Sequence, residues 1–516
     1  MNTKLAKKLT ITFFICFFTQ ISPCFAIEPI NYDTAWTYVY DGEIDSASGD
    51  VSIDNFCDVK ILPDGSCICA GKTGYSDNSS LLVKLDSFGK EIFKKTYTTN
   101  SEIGLNNQSA RSVFIAKNGD LILGGMRWWD PWIMRLDSIG NIKWTAWYYD
   151  STKGTSGKHK LSGVGGGINS IKETSRGRII CAIGDEYNGG SSGKVNNYAA
   201  YLEYDSSGNF VRCREWDQED GIKVAGFNIE EVIPSRFILT GNQNVFILDS
   251  TGMRLSAKKY SFSLDGVGAV TNRVTRVKKL RDGMLMVIGH AYEEKCWVNY
   301  QKYYYDAWWS PITSTGSNTA WYTARGRSLR VDDYLNDMAQ LADGRLVFIG
   351  TSYASTNGVW MFVTDSTGKD ILWNKLYMVN TDKAYYSAKS ISVCATSDTG
   401  FTIAGNCTFD GNTDAFVTHF KPSPISTITQ KHKITKENSM NCNVINSMVT
   451  FTFNKTALDK KEVFIFNASG KLVTRLYADI NSSSVSFDAS RLVKGVYFYS
   501  AKSGSVKTKG KFVINK

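Results

Sequence analysis

Residues 120–149 read DLILGGMRWWDPWIMRLDSIGNIKWTAWYY, and the reading of this stretch decides the fold. An apolar run closes on Gly124-Gly125. A polar and aromatic loop follows, then a second run ending Arg135-Leu136-Asp137. A Ser138-Ile139-Gly140 turn leads into a third run rich in Trp and Tyr. Short apolar runs separated by turn residues describe an antiparallel meander of strands.

Variants of this meander recur along the chain, and repeats of this kind dictate architecture. The turn appears as Leu85-Asp86-Ser87-Phe88-Gly89, Leu136-Asp137-Ser138-Ile139-Gly140, Tyr204-Asp205-Ser206-Ser207-Gly208, Leu248-Asp249-Ser250-Thr251-Gly252 and Thr364-Asp365-Ser366-Thr367-Gly368. An Asp side chain caps its own turn, and Gly supplies the positive φ. The Asp residues are 51, 68, 44 and 116 positions apart. The last interval spans two units, so a copy near residues 306–317 has lost its signature. A second turn type, as in Leu280-Arg281-Asp282-Gly283 and Leu341-Ala342-Asp343-Gly344, joins the first two strands of each unit into a hairpin.

Each unit is thus four short strands in about 40–60 residues, the size of a propeller blade. Units begin near Phe56, Ala110, Ile168, Asn228, Arg273, Leu335 and Ala388, which makes seven. The last unit, ending at Lys421, lacks a fourth strand. An orphan run, Ala35-Trp36-Thr37-Tyr38-Val39-Tyr40, is expected to supply it and close the ring. An open solenoid or a pair of sandwiches is the alternative. The expected fold class is all-β, a seven-bladed β-propeller followed by a small Ig-like β-sandwich. The insertion at residues 303–327 resists assignment to strands.

The ends of the chain read differently. Lys4, Lys7 and Lys8, the apolar run at residues 11–18 and Cys24-Phe25-Ala26 have the order of a secretory signal over residues 1–26. The apolar run is shorter than the ~20 residues of a spanning helix, so no transmembrane anchor is expected once the signal is removed. Residues 422–440 have a linker's composition. Residues 441–516 alternate in the way of a small sandwich, with strands at residues 444–453, 463–467, 472–475, 484–487 and 509–514.

The net charge of +10 is not spread evenly. The signal holds three Lys and no acid. Residues 441–516 hold 12 Lys and Arg against 4 Asp and Glu, and residues 421–440 hold 4 Lys against 1 Glu. That leaves residues 27–420 at −4, which excludes a nucleic-acid footprint on the main body. Of eleven cysteines, Cys16 and Cys24 belong to the signal. The other nine read mostly as buried free thiols, with Cys394 and Cys407 the best disulfide candidates.

Two resemblances follow from these motifs. The units, and Leu82-Val83-Lys84-Leu85-Asp86 above all, resemble secreted bacterial β-propeller repeats over residues ~30–421, within a propeller domain expected at residues 27–421. The Asp-to-Gly spacing is one residue longer than in the sialidase Asp-box, so no sialidase chemistry is carried over. The tail resembles the C-terminal sorting domain of the type IX secretion system. The matching residues are Val463-Phe464-Ile465-Phe466-Asn467, Leu492-Val493-Lys494-Gly495-Val496-Tyr497-Phe498 and a basic final strand. That resemblance implies the secretion machinery as partner, passage from the periplasm across the outer membrane, and a secreted or surface-attached product. Gly495, Tyr497, Lys509 and Lys511 would carry recognition.

Reactive motifs are absent from the sequence. No His-Glu-x-x-His, phosphate loop or Gly-x-Ser-x-Gly strand-to-helix elbow appears. No catalytic residue, metal ligand or cofactor is assigned, although residues 185–188 and 410–414 are oxygen-rich enough to hold Ca²⁺. The aromatic clusters give the ligand-binding candidates Trp128, Trp129, Asp130, Trp132, Trp308 and Trp309. Such rings with carboxylates suit a glycan or a protein ligand if they face solvent, and inter-blade packing if they do not. The expected function is a binding protein. The alternatives are a carbohydrate-active enzyme whose carboxylates meet only in the fold, and a structural envelope protein.

Overall fold

The computed structural model describes residues 31–42, 52–74, 79–98, 108–127, 130–148, 166–187, 196–216, 227–241, 243–260, 272–293, 304–320, 322–324, 333–353, 357–379, 387–409, 412–423, 440–445, 448–453, 461–478, 484–503 and 506–514. All of its regular elements are strands. They fall into two compact units, Met1–Ile425 and Ser426–Lys516.

The first unit is a seven-bladed propeller of four-stranded antiparallel meanders, in sequence order in every blade but the last. The innermost strands are Asn55–Ile61, Gln108–Ile115, Gly167–Glu173, Asn228–Ile233, Asn272–Lys279, Asp333–Gln340 and Ser387–Ala395. These define blades 1 to 7. One parallel bridge, Asn357 to Ser387, touches blades 6 and 7. Blade 7 takes its outer strand from the other end of the unit. Asn31–Tyr40 lies antiparallel to Asn412–Ser423, with Trp36 opposite His419 and Tyr40 opposite Ala415. The ring is sealed by its first strand, and no blade is left with an open edge toward a missing neighbour.

Apolar side chains are gathered at the seven blade junctions, one cluster to each. The middle strands of a blade are therefore covered on both faces and read as unbroken apolar runs. In blade 1, Leu81, Val83 and Leu85 face blade 7, and Leu82 faces blade 2. Cys67 and Cys69 share the blade 7 side and are free and buried.

The repeated turns hold these junctions in place. Asp137 Oδ1 accepts from the backbone N–H of Ile139 at 3.1 Å and of Asn141 at 2.7 Å. Asp86, Asp205 and Asp249 do the same. The copy without its signature is Thr313-Ser314-Thr315-Gly316. There Thr313 Oγ1 accepts from the Ser317 N–H at 3.1 Å and Gly316 has φ of 76°. An aromatic side chain of the preceding blade sits on each turn. Trp36 Nε1 donates to Ser87 O at 3.1 Å, Tyr97 to Gly140 O at 2.7 Å, Tyr260 to Gly316 O at 2.7 Å and Trp309 to Gly368 O at 2.7 Å. A Cβ on Gly89 would lie 2.5 Å from the Trp36 ring, and φ there is +82°, so glycine is required twice over.

The second unit packs the sheet of Met440–Ile445, Met448–Phe453 and Ser484–Asp488 on that of Lys461–Phe466, Leu472–Ala478, Gly495–Ser503 and Val506–Ile514. The single strand expected at residues 444–453 is a hairpin, with Ile445 opposite Met448. The proposed Cys394–Cys407 disulfide is absent. Cys394 lies opposite Thr402 and Cys407 opposite Ala388, which puts them far apart along the hairpin. They also face different junctions, so the thiols point away from each other.

Candidate functional site

The innermost strands carry the feature that shapes a site. In six of the seven, the register slips by one residue near the middle. The extra residues are Cys57, Arg111, Asn169, Thr275, Asn336 and Ile391. A bulge re-aims a side chain out of the pleat, and all six line one cavity on the propeller axis. Phe227, just before the blade 4 strand, fills the seventh place.

The residue after each of these turns between blades instead. Val113 N–H donates to Asp58 Oδ2 at 3.0 Å, Ile229 N–H to Ser170 Oγ at 3.3 Å and Val277 N–H to Asn228 Oδ1 at 3.0 Å. Val393 N–H donates to Asp337 Oδ2 at 3.1 Å, and Val59 N–H to Ser392 Oγ at 3.4 Å. Arg276 pairs with Asp337 at 3.3 Å. These polar bonds join six of the seven junctions around the axis. Sequence reasoning missed this ring, although a signal was there. Cys57-Asp58-Val59, Arg111-Ser112-Val113, Asn169-Ser170-Ile171, Phe227-Asn228-Ile229 and Ile391-Ser392-Val393 share a short polar residue before a β-branched one.

Five charges concentrate beside the cavity, one of them, Arg276, on its wall. Asp58 contacts Lys60, and Asp337 pairs with Arg276 and with Lys278 at 3.1 Å. Ser392 Oγ lies 2.8 Å from Asp58 Oδ1 and 3.2 Å from Asp337 Oδ2, so one hydroxyl bridges two carboxylates. Burial pushes both carboxyls upward, but the surrounding cations outweigh it. Asp58 is lowered and Asp337 is held at about 2. Burial lowers the Lys278 ammonium, against the pull of Asp337.

The cavity has a volume of about 530 Å³ and draws its lining from all seven blades. Arg111, Arg273 and Arg276 contribute guanidiniums, and Asn169, Asn336 and Asn406 contribute amides. Among the described residues no carboxylate side chain lines it. His290 stacks edge-on to Tyr334, with centroids 4.7 Å apart. Burial first, and Arg273 second, push its imidazole down to about 3, so it is neutral at physiological pH. Burial also lifts the Cys57 thiol to about 11.

The residues singled out in the sequence do not meet here. Trp128 and Trp129 lie outside the described residues. Asp130 is half-buried at the end of a blade 2 hairpin, opposite Arg127. Trp132, Trp308 and Trp309 are core residues rather than an exposed aromatic surface, with 1%, 0% and 1% exposure. Trp132 packs between blades 1 and 2, Trp308 between blades 4 and 5, and Trp309 between blades 5 and 6. A ring with no accessible face offers nothing to a ligand. For the Ca²⁺ candidates, Asp414 is buried, Asp410 lies outside the described residues, and so do the side chains of residues 185–188. Among the described residues no group of three His, Cys, Asp or Glu is placed to hold a metal.

In the second unit, Gly495 opens a strand opposite Ile514, and Tyr497 stacks on Phe512 at 5.6 Å. Lys509 and Lys511 are exposed and alternate with buried Phe512 and Ile514. Among the described residues no helix is long and apolar enough to cross a membrane.

Comparison with known proteins adds the following. Residues 443–515 match the family model for the secretion system C-terminal sorting domain. No curated protein matches the sequence. Similar solved structures include the Neurospora crassa Pan2 WD40 domain, at 9% identity over 76% of this chain and 96% of that one, TM-score 0.43. A Dyadobacter fermentans protein of unknown function is similar at 10% identity over 76% and 99%, TM-score 0.43. The α-L-arabinofuranosidase Arb93A of Fusarium graminearum is similar at 10% identity over 75% and 98%, TM-score 0.39. The chain is a β-propeller repeat protein that ends in a type IX sorting domain, the mark of a secreted or cell-surface protein.

Proposed function

We propose that this exported propeller binds a ligand on its axis without transforming it. The observation that carries this reading is the cavity of about 530 Å³, lined by every blade and by no described carboxylate. A volume of this order admits a small glycan or a side chain of a protein partner. Glycoside hydrolysis calls for two carboxyl groups flanking the bond, one of them with a raised pKa. The two carboxylates bridged by Ser392 are both lowered, both buried and both committed to cations. That supports binding over the carbohydrate-active alternative.

Delivery follows from the two ends. In this reading residues 1–26 take the chain to the periplasm, and the tail takes it across the outer membrane and is then removed. Gly495, Tyr497, Lys509 and Lys511 form the sorting signal. Open space surrounds Gly495 where a side chain would stand, which supports a role in recognition rather than packing. The test of function is a glycan array on the secreted chain beside a sugar-release assay on the same preparation. Binding without product is the expected result; steady release of cleaved sugar would overturn the binding-only view.

A further inference from the structure

The axial cavity also points to the chemistry of its occupant, an inference that rests on the reading of that cavity as the binding site. We infer that it takes a small acidic saccharide, with carboxylate or sulfate groups met by Arg111 and Arg273 and hydroxyls met by the asparagine amides.

The two arginines are positioned rather than loosely displayed. Arg111 Nη1 donates to Asn169 Oδ1 of the next blade at 3.2 Å. Its guanidinium lies against Gly167, where a Cβ would come within 2.9 Å of Nη1. The Arg273 guanidinium sits over the Phe227 ring of the preceding blade, 4.7 Å from the centroid. A guanidinium held in one orientation loses little entropy on meeting a planar oxyanion, and binds it through two donors at once. Arg111 is on blade 2 and Arg273 on blade 5, three blades apart in a ring of seven, and therefore on nearly opposite walls. A ligand with an oxyanion at each end fits that separation better than one with a single charge.

The surroundings reinforce the sign. The adjoining charge cluster, which reaches the cavity wall at Arg276, holds three half-buried cations, Lys60, Arg276 and Lys278, against the two buried carboxylates Asp58 and Asp337. It therefore does not cancel the positive potential of the cavity walls. Asn336 and Asn406 bring amide donors and acceptors of the kind hydroxyl recognition needs, whereas Asn169 is held by Arg111 and Gly184 O and the Thr275 hydroxyl by Ile288 O and Leu335 O. The walls also supply Tyr334, whose ring suits the apolar side of a sugar.

The test uses the secreted chain in calorimetric titrations with three probes of similar size: digalacturonate, its dimethyl ester and a disulfated galactobiose. Digalacturonate or the disulfated sugar should bind on the order of tenfold or more tighter than the ester, since charge-assisted bonds are about twice as strong as neutral ones. Which of the two acids binds tighter separates a carboxylate ligand from a sulfate ligand. Arg111→Gln and Arg273→Gln should each weaken the acids on the order of tenfold and the ester by much less. Ile391→Trp, which fills the axis, should abolish binding of all three. The comparison of acid with ester needs no variant, so it stands even if a substitution fails to fold. Ester binding equal to acid binding, with loss in Ile391→Trp, would retain the cavity and overturn the acidic ligand. Acid binding that survives Ile391→Trp would overturn the cavity itself. Failure of all three probes to bind would overturn the inference.

Discussion

At the scale of single residues, the charged ring beside the cavity has much at stake electrostatically. Asp337 is 1% exposed and faces Arg276, Lys278 and the Val393 N–H. Asp337→Asn leaves two half-buried cations, Arg276 and Lys278, short of a counter-charge and should cost about 3 kcal/mol at neutral pH, measured by urea unfolding. A carboxyl whose folded pKa is depressed gives its full stabilisation above its unfolded pKa of ~3.9, and that stabilisation fades as pH falls toward about 2. The gap between the native protein and Asp337→Asn should therefore narrow between pH 4 and pH 2. His290 acts in the same direction at higher pH. Its imidazole stays neutral down to about 3 in the fold, whereas the unfolded chain takes up a proton below ~6.5. Stability should fall as pH drops from 6.5 toward 4, and His290→Gln should flatten that slope in the same unfolding series. These positions were only half legible. The motif of a polar residue before a β-branched one stands in the sequence at most of the inner strands, but which of its residues faces the axis depends on the bulge. A bulge leaves no residue-type signature, because the slip is a property of pairing with the second strand.

At the scale of elements, the turn and the closing strand were readable because each has a local chemical cause. Asp137 and Gly140 are needed where they stand, one for the cap and one for the positive φ. The copy expected near residues 306–317 lacks the signature because the hydroxyl of Thr313 replaces the carboxylate as acceptor. The aromatic residues were harder. In the strand Asp130–Leu136, Trp132 alternates with Met134 and Leu136 and shares their face toward blade 1. Period-two parity alone could have assigned it to the core. The local density of Trp drew attention to a loop instead. For the closing strand, Tyr32 is fully buried and packs on Trp373 and Phe401, each with ring centroids 5.1 Å away. Tyr32→Ala should cost about 3 kcal/mol, read in the same denaturant titrations. A loss of only a few tenths would mean that Asn31–Tyr40 contributes little to the ring.

At the scale of the whole molecule, stability and address are divided between two units, and function is assigned to the axis of the first. Deleting residues 441–516 should trap the chain in the periplasm, as read by fractionation and surface proteolysis, while leaving a folded propeller. Normal surface delivery after that deletion would remove the tail from the account. The seven junctions share one axis, so an occupant of the cavity touches all seven inner strands at once. Hydrogen–deuterium exchange of the secreted chain, with and without a bound acidic disaccharide, tests this most directly. Added protection is expected at and beside Cys57, Arg111, Asn169, Phe227, Thr275, Asn336 and Ile391, with the outer strands unchanged. Protection confined to the outer edge of a single blade, with the inner strands indifferent to ligand, would contradict the account.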